Sequence, residues 1–340
     1  MADISHIKTI SVIGAGTMGR EIAQVALMAG FPRVILNDLE EGVLKEASNY
    51  VREGLEKLES KDKLKEGQDC QALIEHLELT TDLERAVSNT DFVIEAVPEI
   101  MELKQELFEK LGQLSPSHTI LATNTSTMSI SKIAKDSGRS EKVVGMHFFI
   151  PIPLLRLIEV IKGKNTSEKT MEITASIGRK LPSLKGKRYI ARLEKESPGF
   201  IVNRLTVASN AYINYLVDYA LEHDIPYEQI DADVASFGLG PCAKMDYLGL
   251  DTIYNVLKYF EAEVSKDFAP GKALTKMVKE GNLGRKTGKG FCEWTDGGKP
   301  ILNTDTKADL FDMELFYAMQ LNEGCRQLEE GVVKGYKVID

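Results

Sequence analysis

The run Lys8-Thr-Ile-Ser-Val-Ile-Gly14-Ala-Gly16-Thr17-Met18-Gly19-Arg-Glu-Ile-Ala-Gln-Val-Ala-Leu-Met-Ala-Gly30 decides the fold. Its first part is a short β-branched stretch of the kind that forms buried strands. Its last part combines good helix formers, apolar residues at helical spacing and a glycine stop. Three glycines therefore sit between a strand and a helix, where a dinucleotide site needs them. Gly14 would make the tight turn, Gly16 would let the backbone approach a pyrophosphate, and Gly19 would let the helix pack closely on the strand. Thr17 and Met18 complete this turn, and the N–H groups at the helix start would face the phosphates. A lone Gly-x-Gly-x-x-Gly is weak evidence, because turns use glycine everywhere. Here a second strand, Arg33-Val-Ile-Leu-Asn-Asp38, ends in an acid about 20 residues past the last glycine. Asp38 would accept hydrogen bonds from an adenosine ribose and repel a 2′-phosphate, which favours NAD over NADP. The same carboxylate could also cap the helix starting near Glu40.

Working outward, Leu77-Glu-Leu-Thr-Thr81, Asp91-Phe-Val-Ile-Glu-Ala-Val97 and Thr119-Ile-Leu-Ala-Thr123 read as further strands. Helical stretches lie between them, including 101–111. This alternation predicts an α/β fold with a doubly wound, mostly parallel sheet of the Rossmann type. Ligands of such sheets bind at the carboxyl ends of the strands. Glu99, Asn124, Ser126, Thr127 and His147 all fall just past strand ends. Ser126 and Thr127 could instead cap the helix at 130–135. Residues 40–66 read as one long charged helix on which Lys57, Lys61 and Lys65 share a face. A solvated face is the default for such a run, and a landing site for ligand phosphate is the alternative.

Val143-Val-Gly-Met-His147 and Leu157-Ile-Glu159-Val-Ile161 read as two strands separated by a loop marked by Pro151 and Pro153. A hairpin of this kind could bring Glu159 back to His147. A carboxylate partner holds one tautomer of an imidazole and stabilises its protonated form. Taken alone, the pair reads first as a core histidine and a solvated glutamate, and the rest of the chain changes that reading. Helix 166–180 and an edge strand within 183–193 follow. Ser197-Pro198-Gly199 then breaks the pattern. From Phe200 onward strands stop, which predicts an all-α second domain with helices at 201–223, 227–237, 251–260 and 272–280. The basic run Gly284-Arg-Lys-Thr-Gly-Lys-Gly-Phe291 lacks the spacing of a phosphate loop and reads as a structural closing turn. The domain boundaries expected are 1–197, 198–296 and an extra helical segment at 297–340.

Composition bounds the function. The chain has 340 residues, 43% hydrophobic and 27% charged, which suits a globular protein of about two domains. Its net charge of −9 argues against general nucleic-acid binding. Cys70, Cys242, Cys292 and Cys325 are scattered, which offers neither a zinc site nor a disulfide framework and fits a reducing, cytoplasmic compartment. No apolar run is long enough to span a bilayer, and the first strand begins too near the start to leave room for a targeting peptide.

Together these motifs resemble the 3-hydroxyacyl-CoA dehydrogenase family, close to the 3-hydroxybutyryl-CoA dehydrogenases. The resemblance covers roughly residues 7 to 293. It is carried by the Gly14–Gly19 turn, Asn124-Thr-Ser126, Gly145-Met-His147-Phe-Phe, Leu157-Ile-Glu159-Val, Pro198-Gly-Phe-Ile-Val-Asn203-Arg, Asp246-Tyr-Leu-Gly-Leu-Asp251 and Gly284-Arg-Lys-Thr-Gly. By this resemblance His147 is the catalytic base and Glu159 its orienting partner. Ser126 and Asn203 hold the substrate oxygens, Glu99 and Lys104 contact NAD, and the region of Lys57, Lys61 and Lys65 approaches the coenzyme A head group. The implied reaction is reversible oxidation of an (S)-3-hydroxyacyl-CoA thioester, and the implied assembly is a homodimer.

Three features depart from the family pattern. Ile150 stands where the family usually has asparagine. The strand before Pro198 carries about half a dozen extra residues, within the range loops tolerate. The chain also continues past Phe291 into an amphipathic stretch similar to the second helical repeat of fused fatty-acid oxidation enzymes, which suggests a linked enoyl-CoA hydratase module. The competing readings are a non-catalytic relative of the lens-crystallin kind and a dehydrogenase of a free hydroxy acid or sugar acid.

Overall fold

The quoted run forms strand β1 (Thr9–Ile13), the glycine turn and helix α1 (Thr17–Met28). The computed structural model describes residues 2–234, 238–302 and 305–340. It divides into two units, Met1–Phe200 with Leu328–Asp340, and Ile201–Gln327. The break falls just past the expected one. Residues 297–340 do not stand apart: they are shared between the two units.

In the first unit the chain continues through β2 (Arg33–Asn37), α2 (Glu41–Glu59), α3 (Cys70–Glu75), β3 (Leu77–Thr80), α4 (Leu83–Val87), β4 (Phe92–Glu95), α5 (Met101–Leu114), β5 (Ile120–Thr123), α6 (Ile130–Ile133), β6 (Val143–Phe148), β7 (Leu157–Ile161), α7 (Glu168–Lys180) and β8 (Tyr189–Leu193). The strands make one sheet in the order β3-β2-β1-β4-β5-β6-β7-β8. Every neighbouring pair is parallel except β6 with β7. The order reverses between β1 and β4, the switch point where doubly wound sheets hold their ligands. Central strands are buried along almost their whole length, as strands covered on both faces must be. Gly14 takes φ 98°, and a Cβ there would lie 2.6 Å from the Ala96 carbonyl oxygen. A Cβ at Gly19 would lie 1.7 Å from the Gly14 oxygen, so α1 crosses the turn at a distance only glycine permits.

Helix α2 is shorter than its charge pattern suggests. It ends in a left-handed Asp62 (φ 51°), with Lys63 N–H donating to Leu58 O at 2.9 Å and Asp62 N–H to Glu59 O at 2.9 Å. This paired C-terminal closure stops the helix. Lys57 is in its last turn, whereas Lys61 and Lys65 lie beyond it, so the three do not share a helical face. At the far edge of the sheet, β8 is met by the returning C-terminal segment. Glu194 N–H donates to Val332 O at 2.8 Å, and the Tyr189 hydroxyl to Lys337 O at 2.8 Å. Val332 and Val333 are buried. An edge strand left open would invite pairing with another chain, and this cover blunts it.

The second unit is mostly helical, with α8 (Val202–Glu222), α9 (Tyr227–Asp233), α10 (Pro241–Leu248), α11 (Leu250–Glu263), α12 (Lys272–Lys279) and α13 (Met313–Glu329, up to Gln327 in this unit). Strands do not stop entirely at Phe200: β9 (Glu293–Trp294) and β10 (Pro300–Ile301) form a short antiparallel pair. The expected extension of α9 over 235–237 lies outside the described residues. Helix α10 was not foreseen, since its sequence has almost no apolar periodicity. Pro241 starts it, and the buried Asp231 carboxylate accepts from Cys242 N–H at 2.7 Å and Ala243 N–H at 2.9 Å. The basic glycine run is a closing turn, as its sequence suggested. The buried Asp246 carboxylate accepts from Phe291 N–H, Cys292 N–H and Trp294 Nε1 at 2.8–3.0 Å. Residues of the C-terminal segment also fold back within this unit. Asp233 accepts from the N–H groups of Asp309, Leu310 and Phe311, Gln320 Nε2 donates to Ser209 Oγ, and Arg204 pairs with Glu323 at 2.5 Å with both side chains buried. Among the described residues no helix is long and apolar enough to cross a membrane.

Removing one partner of a buried ion pair strands the other charge. Glu323→Ala should therefore cost about 3–5 kcal/mol, read from denaturant unfolding followed at Trp294, the single tryptophan. A change below about 1 kcal/mol, the worth of an exposed pair, would refute this account of α13. Asp231 makes a pH prediction. Burial, opposed by its backbone donors, pushes its carboxyl up to about 6 from an ordinary 3.8. A group that binds protons more readily folded than unfolded favours the fold as pH drops through that window. Relative to Asp231→Asn, the wild type should gain on the order of 2 kcal/mol between pH 7.5 and pH 4. A flat difference would contradict the assignment.

Candidate active site

His147 is in the last turn of pleat of β6 and Glu159 in the middle of β7, and the antiparallel register sets them directly opposite. Opposed residues of an antiparallel pair project from the same face. The side chains meet with His147 Nδ1 2.7 Å from Glu159 Oε2. Glu159 is completely buried and His147 is 6% exposed. A buried carboxylate accepts, so the proton belongs on Nδ1 and Nε2 carries the lone pair. The Phe149 ring lies 4.4 Å from the imidazole and the Phe200 ring 5.8 Å, a largely apolar setting.

His147 opens onto a cleft of about 410 Å³ at the carboxyl ends of the central strands. Its lining includes Met18, Glu99, Asn124, Ser126, Phe149 and Ile150. Glycine-turn and catalytic candidates, far apart in the chain, thus share one site. Asn124 Oδ1 accepts from Phe148 N–H at 2.9 Å and fixes the end of β6. Glu99 Oε1 accepts from Thr125 Oγ1 at 2.5 Å and Ser126 N–H at 2.9 Å. The cap of α6 is Ser129, whose side chain accepts from Lys132 N–H. Neither Ser126 nor Thr127 fills that position, and the Ser126 side chain lines the cleft instead.

Lys104 is only 1% exposed. Its ammonium reaches Glu95 Oε1 at 2.6 Å, Glu99 Oε2 at 3.2 Å and Val97 O at 3.3 Å. These three acceptors match its three donors, and Lys104 itself lines the cleft beside Glu99. Burial pushes the Glu95 carboxyl up, against the pull of Lys104. Thr123 Oγ1 donates to the second Glu95 oxygen at 2.6 Å. Glu95, Thr123 and Thr125 were not singled out in the sequence. A lone carboxylate ending the apolar run Phe92–Glu95 was the available signal.

The glycine turn passes a simple test for a dinucleotide. Gly14 and Gly19 are needed by the protein's own packing, but a Cβ at Gly16 would meet nothing within 4 Å. Its missing side chain leaves open space over the N-terminus of α1, as an approaching pyrophosphate requires. Asp38 Oδ2 accepts from Ala15 N–H at 2.8 Å, which ties the acid to the turn. Its other oxygen accepts from Glu40 N–H at 3.3 Å at the start of α2, although the N-cap position itself is Glu40. Asn203 is in the first turn of α8, in the second unit. Lys57, Lys61 and Lys65 are exposed.

In sequence and fold the chain is similar to known proteins. Residues 9–188 match the family description "3-hydroxyacyl-CoA dehydrogenase, NAD binding domain", and residues 199–294 match "3-hydroxyacyl-CoA dehydrogenase, C-terminal domain". The mitochondrial hydroxyacyl-coenzyme A dehydrogenase of Sus scrofa is 35% identical over 85% of this chain and 91% of its own length. A probable 3-hydroxybutyryl-CoA dehydrogenase of Deinococcus radiodurans is 35% identical over 83% of this chain and 99% of its own. The crystal structure of (S)-3-hydroxybutyryl-CoA dehydrogenase from Ralstonia eutropha superposes with a TM-score of 0.76 at 32% identity, covering 85% of this chain and all of that one. With its paired sequence domains, doubly wound sheet and open glycine turn, the chain belongs to the 3-hydroxyacyl-CoA dehydrogenase family of NAD-dependent oxidoreductases.

Proposed function

We propose that this chain reversibly oxidises (S)-3-hydroxyacyl-CoA thioesters, 3-hydroxybutyryl-CoA foremost, with His147 as base and Glu159 as its partner. The observation that carries the proposal is the 2.7 Å contact between His147 and a fully buried Glu159, opening on the cleft beside the glycine turn. NAD, when bound, accepts the hydride from C3 of the substrate. His147 Nε2 takes the hydroxyl proton as that bond forms. Glu159 stabilises the imidazolium through Nδ1, in a site dry enough for the charge pair to count. Ser126 orients the alcohol oxygen, and Asn203 the thioester carbonyl. Phe149 and Ile150 exclude water from the reacting centre, with Ile150 presenting an apolar face. In the reverse direction the same nitrogen returns the proton.

The exposed lysines at 57, 61 and 65 are assigned to the phosphates of coenzyme A, as a loose basic segment rather than one helical face. The homodimer and the linked hydratase module rest on the family resemblance alone.

The deciding assay is consumption of NADH with acetoacetyl-CoA. His147→Gln should lower kcat by about a hundred- to ten-thousandfold, the usual range for a general acid–base group. A non-catalytic relative would consume no NADH at all. A free-acid dehydrogenase would not be inhibited by free coenzyme A. NADPH should be a poor substitute for NADH, and Asp38→Asn, which keeps an acceptor for Ala15 N–H, should narrow that preference. Equal rates with both cofactors in the wild type would refute the role given to Asp38.

A further inference from the structure

One buried carboxylate near the cleft has no part in the chemistry above. Glu21, on the second turn of α1, is 4% exposed. An ionised carboxyl out of water is costly unless its oxygens are hydrogen-bonded. Here each oxygen has a partner on a different element. Oε1 accepts from the Tyr50 hydroxyl of α2 at 3.0 Å, and Oε2 accepts from Ile152 N–H at 2.6 Å. Arg20, beside Glu21, places its guanidinium 4.0 Å from the centre of the Tyr50 ring and so steadies the same phenol. Glu21 therefore ties both helices next to the dinucleotide turn to the loop that leaves the catalytic strand.

The place of that tie matters. Phe148 N–H is held by Asn124 Oδ1, and Ile152 N–H by Glu21. Between these two anchored amides lie Phe149, Ile150 and Pro151. Pro151 has no N–H to give. Phe149 and Ile150 are the apolar wall of the cleft, and the Phe149 ring is the near neighbour of the imidazole. Beyond Ile152, itself fully buried, the loop is secured again by Arg188, which donates to Leu155 O. The wall is thus suspended between a polar residue just past β5 and an acid of helix α1.

We propose that Glu21 is a positioning residue: by bridging Tyr50 and Ile152 N–H it sets the Phe149–Ile150 wall, and with it the seat of the acyl thioester beside His147. The role rests on the dehydrogenase reading given above. It acts on acyl placement, because the dinucleotide turn has its own supports in Gly14, Gly19 and Asp38. It also needs acceptor atoms rather than charge. Glutamine can accept from Ile152 N–H with its oxygen and donate to the Tyr50 oxygen with its amide.

The test compares Glu21→Ala, Glu21→Gln and Tyr50→Phe in the full chain, with acetoacetyl-CoA and NADH as substrates. Glu21→Ala should raise the thioester KM roughly ten- to hundredfold, the scale on which small misplacements act, and leave the NADH KM unchanged. Glu21→Gln should restore the wild-type values. Tyr50→Phe should change the thioester KM in the same direction but less, and it decides the matter if the alanine variant does not fold. Amide hydrogen exchange across 149–155 should accelerate in Glu21→Ala and not in Glu21→Gln. An unchanged thioester KM, an equal rise for both substrates, or a glutamine variant as impaired as alanine would overturn the proposal. If the wild type reduces no acetoacetyl-CoA, the dehydrogenase reading fails by itself. The exchange measurement then still decides whether Glu21 anchors the loop.

Discussion

Antiparallel pairing of β7 against β6 is the constraint on which the rest of the site depends. It is the single antiparallel step in an otherwise parallel sheet. It turns the chain back just past the strand that carries His147. Because side chains alternate faces along a strand, slipping the register by one residue would send Glu159 to the opposite side of the sheet. Close packing holds the register. Gly145 faces Ile161, and a Cβ at 145 would lie 2.8 Å from the Ile161 Cβ and 2.9 Å from Ile130 Cδ1. A glycine two residues before the histidine thus helps determine which carboxylate the histidine meets.

The same logic organises the other buried charges. Glu95 and Lys104 pair beneath Glu99, and Glu21 bridges two helices and a loop. Each is an ionisable group in a dry place, and each has its lone pairs or protons matched by hydrogen-bonding groups. Such groups add little net stability compared with apolar residues of the same size. What they add is geometry: a misfit loop or strand leaves a buried charge without partners, so alternative arrangements are strongly disfavoured. The cleft is walled by such ties, and this keeps Ser126, Asn124 and His147 in fixed relation around a mostly apolar space. In the second unit, Arg204 with Glu323 and Asp231 with the start of α10 do comparable work for the helical fold.

Much of this was legible in the residues alone, and for definite reasons. The glycine turn, the acid ending β2 and the alternation of strands with helices are local patterns, set by backbone sterics and hydrophobic periodicity. They foretold the doubly wound sheet, the helical second unit and the position of the cleft at the strand ends. The motif order from Gly14 to Gly284 placed the chain in its family. Local signals were weaker where the deciding contacts are distant. Lys57, Lys61 and Lys65 looked like one helical face because charge spacing says nothing of a left-handed Asp62. The family resemblance marked Lys104, but its ties to Glu95, Val97 and Glu99 appear only in the fold. Helix α10 has no periodic stripe, since its start is set by Asp231 and Pro241 rather than by amphipathicity.

By itself, then, the sequence determined the kinds of elements, their order and the chemical vocabulary of the site, because those follow from short-range sterics and burial patterns. The tertiary structure decided which partners meet. Register alone sets Glu159 opposite His147, and only folding brings Glu21 to Ile152 and returns the C-terminal segment to β8. The physical reason is common to all three: a hydrogen bond between residues far apart in the chain leaves no periodic trace in the sequence, and it is specified only when close packing excludes every other arrangement.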